Sequence, residues 1–290
     1  MNNTEIRWTE KTWNPASGCV KVSPGCKHCY AETIAENKRG TRAFPNGFDL
    51  TLRPHKMREP YAIKEPSLVF VNSMSDLFWE EIPDSYRDQV VDVIADTPQH
   101  EYQVLTKRHE NMLRYSRRRK LPPNFWAGVS VENQEWADKR IPVLLQVEAE
   151  IRFLSAEPIV DHIDFRPFVT GRNNKIGGDG IQWAIFGGES GTHISRDDVR
   201  LKRGLVEKRD GAWMPRPDRM HWARDMRDAC VENATAFFFK QWGGPRSTSG
   251  GKMLDDRTWE EWPRLPAKQT QPAGLTARRS GGQLGLAVVE

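Results

Sequence analysis

A chain of 290 residues, 38% hydrophobic and 28% charged with a formal net charge of +4, can bury a full core in one large domain, which excludes a small fold that depends on disulfide staples. No apolar stretch reaches the ~18–20 residues of a membrane helix. The opening MNNTEIRWTEKTWNP lacks the apolar centre of a signal peptide, so the expected address is cytoplasmic with no membrane partner.

In chain order, Trp13 and its neighbours read as a short first strand leading into three clustered cysteines, Cys19, Cys26 and Cys29, in GCVKVSPGCKHCY. The C-x6-C-x2-C spacing offers three thiolates to one centre, and Gly18, Pro24 and Gly25 let the backbone wrap around it. Two ligation schemes are open. A structural zinc needs a fourth ligand, for which His55 or Cys230 is the candidate. A four-iron cluster can be held by three cysteines with one iron left for a substrate or cofactor. Thiolates suit both metals. A loop that precedes the first strong strand of a βα series belongs at the functional mouth, and three local thiols leave an open coordination position; both points favour the cluster. Cys230, in a helical pattern beside Ala229 and Val231, reads as a small buried residue with no role.

Six near-continuous apolar runs follow, at 67–76, 101–108, 125–133, 151–158, 181–190 and 235–244, as expected for strands of a parallel sheet buried on both faces. Helical patterns lie between them: one opened by Pro83-Asp84 with Val90, Val91, Val93 and Ile94 on one side, then 108–120, 133–147 with a kink at Pro142, and 217–233. The alternation predicts an α/β fold, a partial or full parallel β/α (TIM-like) barrel of about six to eight strands over residues 1–263. The segments 159–180 and 191–216 read as insertions at the rim. From about residue 264 the chain is rich in Pro, Gly, Gln and Arg without amphipathic period, the pattern of a flexible tail over 264–290.

Each apolar run ends in a polar or ionisable residue: Asp76, Lys107, Glu132, Glu157, Glu189 and Lys240. In a β/α barrel such positions converge on one mouth, where active sites are built. The competing reading is a salt-bridge network that only closes the strand ends.

The segments WTEKTWNPASGCVKVSPGCKHCYAE, VNSMSDLFWEEIP, QVLTKR, WAGVSVENQEWADKRIP, LSAEP, GGESG, FFFKQWGG and LDDRTWEEWP, in that order, resemble the phage-encoded and bacterial family of unknown function that carries a radical-SAM-like three-cysteine motif. The resemblance covers roughly residues 5–263. It implies a β/α barrel with a [4Fe-4S] cluster on Cys19, Cys26 and Cys29, and it names no substrate. Three features depart from the general radical SAM pattern C-x3-C-x2-C: the first spacing is six, His28 stands before the third cysteine where an aromatic residue is usual, and the sole Gly-Gly-Glu, Gly187-Gly188-Glu189, comes late in the chain rather than after the second strand.

On that resemblance, S-adenosyl-L-methionine would chelate the open iron, and its reductive cleavage would give a 5′-deoxyadenosyl radical that takes hydrogen from substrate, with an electron donor protein as partner. The cofactor's ammonium, sulfonium and ribose call for carboxylates and hydroxyls, for which Ser75, Asp76, Glu132 and Glu189 are the candidates. Its carboxylate calls for Lys107 or Arg108, while Glu157 and Lys240 are placed to hold substrate or exchange protons.

The basic run 108–120, RHENMLRYSRRRK, and surplus tryptophan, including Trp79, Trp136, Trp183, Trp213 and Trp242, would suit a DNA or RNA substrate, modified or repaired; a solvated helix face and core packing, the more common use of tryptophan, are the competing explanations. Two other classes stay open: a divalent-metal hydrolase or isomerase barrel with a structural zinc, and a non-catalytic zinc-stabilised nucleic-acid-binding protein. Against the hydrolase, the seven histidines avoid the predicted strand ends.

Overall fold

Apolar runs without polar alternation must be covered on both faces, and the chain meets that demand by curling them into one sheet. The computed structural model describes residues 1–169 and 180–264. Its main sheet has eight strands: β1 (Asn2–Asn3), β2 (Lys11–Trp13), β3 (Leu68–Val71), β4 (Glu101–Thr106), β5 (Phe125–Ser130), β6 (Ile151–Ile159), β7 (Trp183–Gly188) and β8 (Ala236–Gln241). Spatial order follows chain order throughout. Strands β2 to β8 are parallel neighbours, and β1 adds antiparallel to β2. Among the described residues β8 pairs in the sheet only with β7, so the barrel is a curled half-barrel and not a closed one.

The open edge of β8 is protected. The Phe239 amide donates to the Trp259 carbonyl at 2.8 Å and the Glu261 amide to Phe237 at 3.2 Å, which lays residues 259–261 alongside the strand. Arg7 reaches across the gap to the Lys240 carbonyl and the Glu260 carboxylate.

Two cores result. On the concave face Leu68, Phe70, Trp126, Ile151, Phe153, Trp183, Ile185 and Phe238 surround Trp8, which comes from a loop and plugs the half-barrel. Its ring lies 4.7 Å from Phe70 and 6.0 Å from Trp183. On the convex face Val69, Val71, Tyr102, Val104, Ala127, Leu154, Phe186 and Phe239 pack against the helices. Burying aromatics of this size supplies much of the driving force for folding.

The helices are α1 (Tyr30–Asn37), α2 (Asp84–Asp96), α3 (His109–Arg118), α4 (Gln134–Leu144), α5 (Arg166–Val169), α6 (Asp197–Arg203) and α7 (Met220–Glu232). Val90, Val91, Val93 and Ile94 of α2 are all buried, as their spacing required. The Asn133 side chain accepts from the Trp136 amide and so starts α4, which runs through Pro142. The segment 191–216 is more regular than a rim insertion: it contains α6 and a hairpin, Val206–Arg209 with Ala212–Pro215. Most of the tail expectation, 265–290, and part of the first insertion, 170–179, lie outside the described residues. No helix of the described residues is long and apolar enough to cross a membrane.

Candidate functional site

The cysteine loop begins where β2 ends. The Gly18 amide donates to the Met74 carbonyl at 3.0 Å, and Gly18 bridges to Ser75 in parallel, so the loop starts across the exit of β3. Gly18 has φ +96°, and a Cβ there would stand 2.4 Å from the Asp49 carbonyl oxygen; only glycine fits. A single 3-10 turn, Pro24–Cys26, carries the second cysteine, and Cys29 sits at the N-terminus of α1. All three thiols are half-buried.

Strand-end charges converge on this loop. Glu132 Oε1 accepts from the Ser23 hydroxyl and, at 3.2 Å, from the Gly25 amide, while its Oε2 takes Arg140 Nη1 at 2.6 Å. A Cβ on Gly25 would lie 3.0 Å from Glu132 Oε1, a tight contact that would push the carboxylate back by a few tenths of an ångström. Arg203 holds both oxygens of Glu189, at 2.7 and 2.9 Å, and donates to the Pro24 carbonyl at 3.0 Å. Arg108 donates to Cys19 Sγ at 3.5 Å, Asp76 Oδ2 at 3.2 Å and the Val20 carbonyl at 3.2 Å. Asp76 also accepts from Thr106 Oγ1 and from the amides of Phe78 and Lys107. Burial, with the Asp76 charge second and Arg108 opposing, pushes the Cys19 thiol up to about 11.

The strand ends therefore form two groups. Asp76, Arg108, Glu132 and Glu189 are all buried and bonded to, or beside, the cysteine loop. Glu157 and Lys240 form an ion pair with both side chains less than a fifth exposed, and Lys107 Nζ donates to Ser130 Oγ at 3.2 Å. Ser75 Oγ donates to the Ala16 carbonyl at 3.1 Å, joining the loop's first residues to β3's exit.

Ser23, Arg140, Arg203 and a histidine pair were not singled out from sequence. His28 stacks on His193 with ring centroids 4.0 Å apart, and His193 Nε2 stands 3.6 Å from Glu189 Oε1. The expectation that histidines avoid the strand ends fails at Glu189. Burial is the leading cause lowering the pKa of both rings, which favours their neutral forms. Arg203 already occupies both Glu189 oxygens, and that opposes a cation there.

Trp79, Trp183 and Trp242 are core residues, while Trp136 lies under Lys139 and Arg140 and Trp213 under Arg200. Half of the basic run is paired: Arg108 is buried beside Cys19 and Asp76, and Arg118 and Arg119 pair with Asp84, Asp88 and Asp92 of α2. Cys230 is wholly buried on α7, and His55 lines an open cleft of about 450 Å³ with Arg42, Phe44, Arg53 and Lys56. Neither forms a close donor set with the three cysteines.

A single zinc with Zn–S bonds near ~2.3 Å would draw its sulfurs to under ~4 Å from one another. Among the described residues, the sets of three donors within 4.8 Å of one another are His28, Glu189, His193 and His162, His221, Asp225; the three cysteine sulfurs are spread more widely.

A half-barrel of sequentially ordered parallel strands with a three-cysteine loop across its mouth defines an α/β protein of TIM-like type. The chain belongs to the family described as Protein of unknown function (DUF5131), which matches residues 3–208 and 210–263. None of the curated proteins matches it. Among solved structures it is similar in fold to a spore photoproduct lyase mutant with one cysteine replaced by serine, at 13% identity and a TM-score of 0.52, over 81% of this chain and 77% of that one. A spore photoproduct lyase complexed with dinucleoside spore photoproduct aligns at 12% identity and a TM-score of 0.49, over 77% and 73% of the two chains.

Proposed function

We propose that this protein is a radical-SAM-like iron–sulfur enzyme acting on nucleic acid. The observation that carries the reading is the anchoring of the loop that bears three half-buried cysteines, by Asp76 through Arg108 at Cys19, by Glu132 at Gly25 and by Glu189 through Arg203 at Pro24. A loop needs such anchoring when its sulfurs must hold a metal in fixed geometry. Cys19, Cys26 and Cys29 would hold a [4Fe-4S] cluster, which with S-adenosyl-L-methionine supplies one-electron cleavage of the sulfonium and hydrogen abstraction from substrate.

The chain's own residues divide the remaining work. Arg108 offsets negative charge at Cys19 and fixes the first cysteine. Asp76, Glu132 and Glu189 position the loop. Lys107 is the cation suited to a cofactor carboxylate, since its ammonium makes one hydrogen bond, to Ser130, among the described residues. Glu157 and Lys240, paired on the concave side, can hold a polar substrate and pass a proton between carboxylate and amine. Ser75 keeps the β3 exit joined to the loop. Trp8 and its aromatic neighbours close the floor and keep water from it.

Nucleic acid is favoured by the open cleft, where exposed Arg42 and His55 stand beside Arg53 and Lys56 around the Phe44 ring; phosphates bind such surfaces with a strong salt dependence. An electron donor protein is the implied partner. A divalent-metal hydrolase fits less well, because Asp76, Glu132 and Glu189 already have their oxygens bonded.

The test is turnover. Protein reconstituted anaerobically with iron and sulfide, then given dithionite and S-adenosyl-L-methionine, should release methionine and 5′-deoxyadenosine, and Cys26→Ala should release neither. Intact S-adenosyl-L-methionine after prolonged reduction of a fully loaded protein would overturn the reading. Binding of random-sequence DNA and RNA across a salt series tests the substrate class; no binding at low salt removes it.

A further inference from the structure

Away from the cysteine loop, the chain leaving β6 meets α7 at two histidines and an aspartate. His162 lies three residues past the end of β6. His221 and Asp225 are four apart on α7 and so share one face. Each offers a ligand atom, and the three atoms lie within 4.8 Å of one another. His162 Nε2 is 2.8 Å from Asp225 Oδ2, and the two imidazole centroids are 5.2 Å apart. His221 is exposed and makes no hydrogen bond among the described residues, so nothing but ring contacts holds it beside its neighbour.

We propose that His162, His221 and Asp225 form a binding site for a first-row divalent cation such as Zn²⁺. Two imidazoles and one carboxylate are the donor set such ions take, with the remaining positions left to water. The ion would take the place of the hydrogen between His162 Nε2 and Asp225 Oδ2, with the neutral imidazole carrying its proton on Nδ1. Beside the site, Asp161 accepts from the His162 amide at 2.8 Å, and Arg219 lies over the Trp222 ring at 4.8 Å. Its position gives the ion a structural task. It joins the exit of β6, the strand that carries Glu157, to α7, and the two are otherwise linked across this contact by the His162–Asp225 hydrogen bond and the rings of His162 and Trp222. The site does not depend on the cysteine loop holding a cluster.

The test separates this site from the thiols. Full-length protein with its accessible cysteines alkylated is titrated with Zn²⁺ by calorimetry, alongside His162→Ala and His221→Ala. The expected result is one equivalent bound by the alkylated parent chain and loss of that equivalent in both variants, with far-UV circular dichroism unchanged. Co²⁺ in place of Zn²⁺ should give visible ligand-field bands without the intense near-ultraviolet charge transfer that thiolates produce. No binding by the alkylated parent chain, equal binding by both variants, or a thiolate charge-transfer band on the bound cobalt would overturn the site.

Discussion

Glu132 Oε1 lies 3.2 Å from the backbone nitrogen of Gly25, so the carboxylate at the end of β5 is hydrogen-bonded to the turn between the first and second cysteines. Its other oxygen faces Arg140, which is fully buried and whose Nε and Nη2 find no hydrogen-bond partner among the described residues. The Trp136 ring 4.1 Å from the guanidinium is its second compensation.

Glu132→Gln keeps an acceptor for Gly25 but strips Arg140 of its counter-ion. Leaving one buried charge alone costs about 3–5 kcal/mol. Glu132→Gln/Arg140→Met should recover part of that loss, giving a clear coupling energy in a double-mutant cycle read by urea unfolding. Additive losses would mean that the pair does not interact.

Arg203 ties Glu189 to the Pro24 carbonyl. Lysine lacks the planar fork that serves these three acceptors together. Arg203→Lys should therefore leave the fold intact while the turn around residues 23–26 becomes sensitive to protease, and a reconstituted cluster should bleach faster under a chelator. Parent-like protection of the turn would contradict the anchoring role.

Glu101 is buried at the start of β4, and burial pushes its carboxyl up to about 7 although Trp126 Nε1 donates to it at 2.8 Å. The folded chain then holds a proton that the unfolded chain gives up above the usual carboxylate range. Stability must fall as pH rises from about 5 to 7, by up to ~1.4 kcal/mol per unit from this group. Glu101→Gln should flatten that slope in urea midpoints measured from pH 5 to 8. An unchanged slope would assign the pH dependence to other groups.

In metal-free protein, a Cys19 thiol near 11 carries roughly a hundredfold less thiolate at pH 8 than an ordinary cysteine, and its higher intrinsic nucleophilicity returns about a factor of ten. Alkylation of Cys19 should thus be about tenfold slower than that of a model thiol, as followed by peptide mass spectrometry. Its rate should climb about tenfold per pH unit between pH 8 and 10. A plateau near pH 9 would show an unperturbed thiol.

The strands were readable because runs such as those around Phe70, Val104 and Trp183 are apolar on both faces, and only a sheet covered on both sides uses them. The cysteine loop was readable from spacing alone. The anchors were not, since Glu132–Arg140 and Glu189–Arg203 pair through space across a strand end and a helix, at separations without a fixed period. The pairing of Arg118 and Arg119 did leave a signal. Asp84, Asp88 and Asp92 recur every four residues on α2, which marks an acidic stripe on one helix face that calls for a cationic partner. The histidine stack remained hidden because His28 and His193 are brought together by two loops.

Iron and acid-labile sulfide content, with electron paramagnetic resonance of the dithionite-reduced protein before and after S-adenosyl-L-methionine, tests the central assignment most directly. The expected result is about four irons and four sulfides per chain, held by Cys19, Cys26 and Cys29, and a reduced-cluster signal that changes when S-adenosyl-L-methionine binds. A colourless protein that keeps one zinc per chain through the same treatment would contradict it.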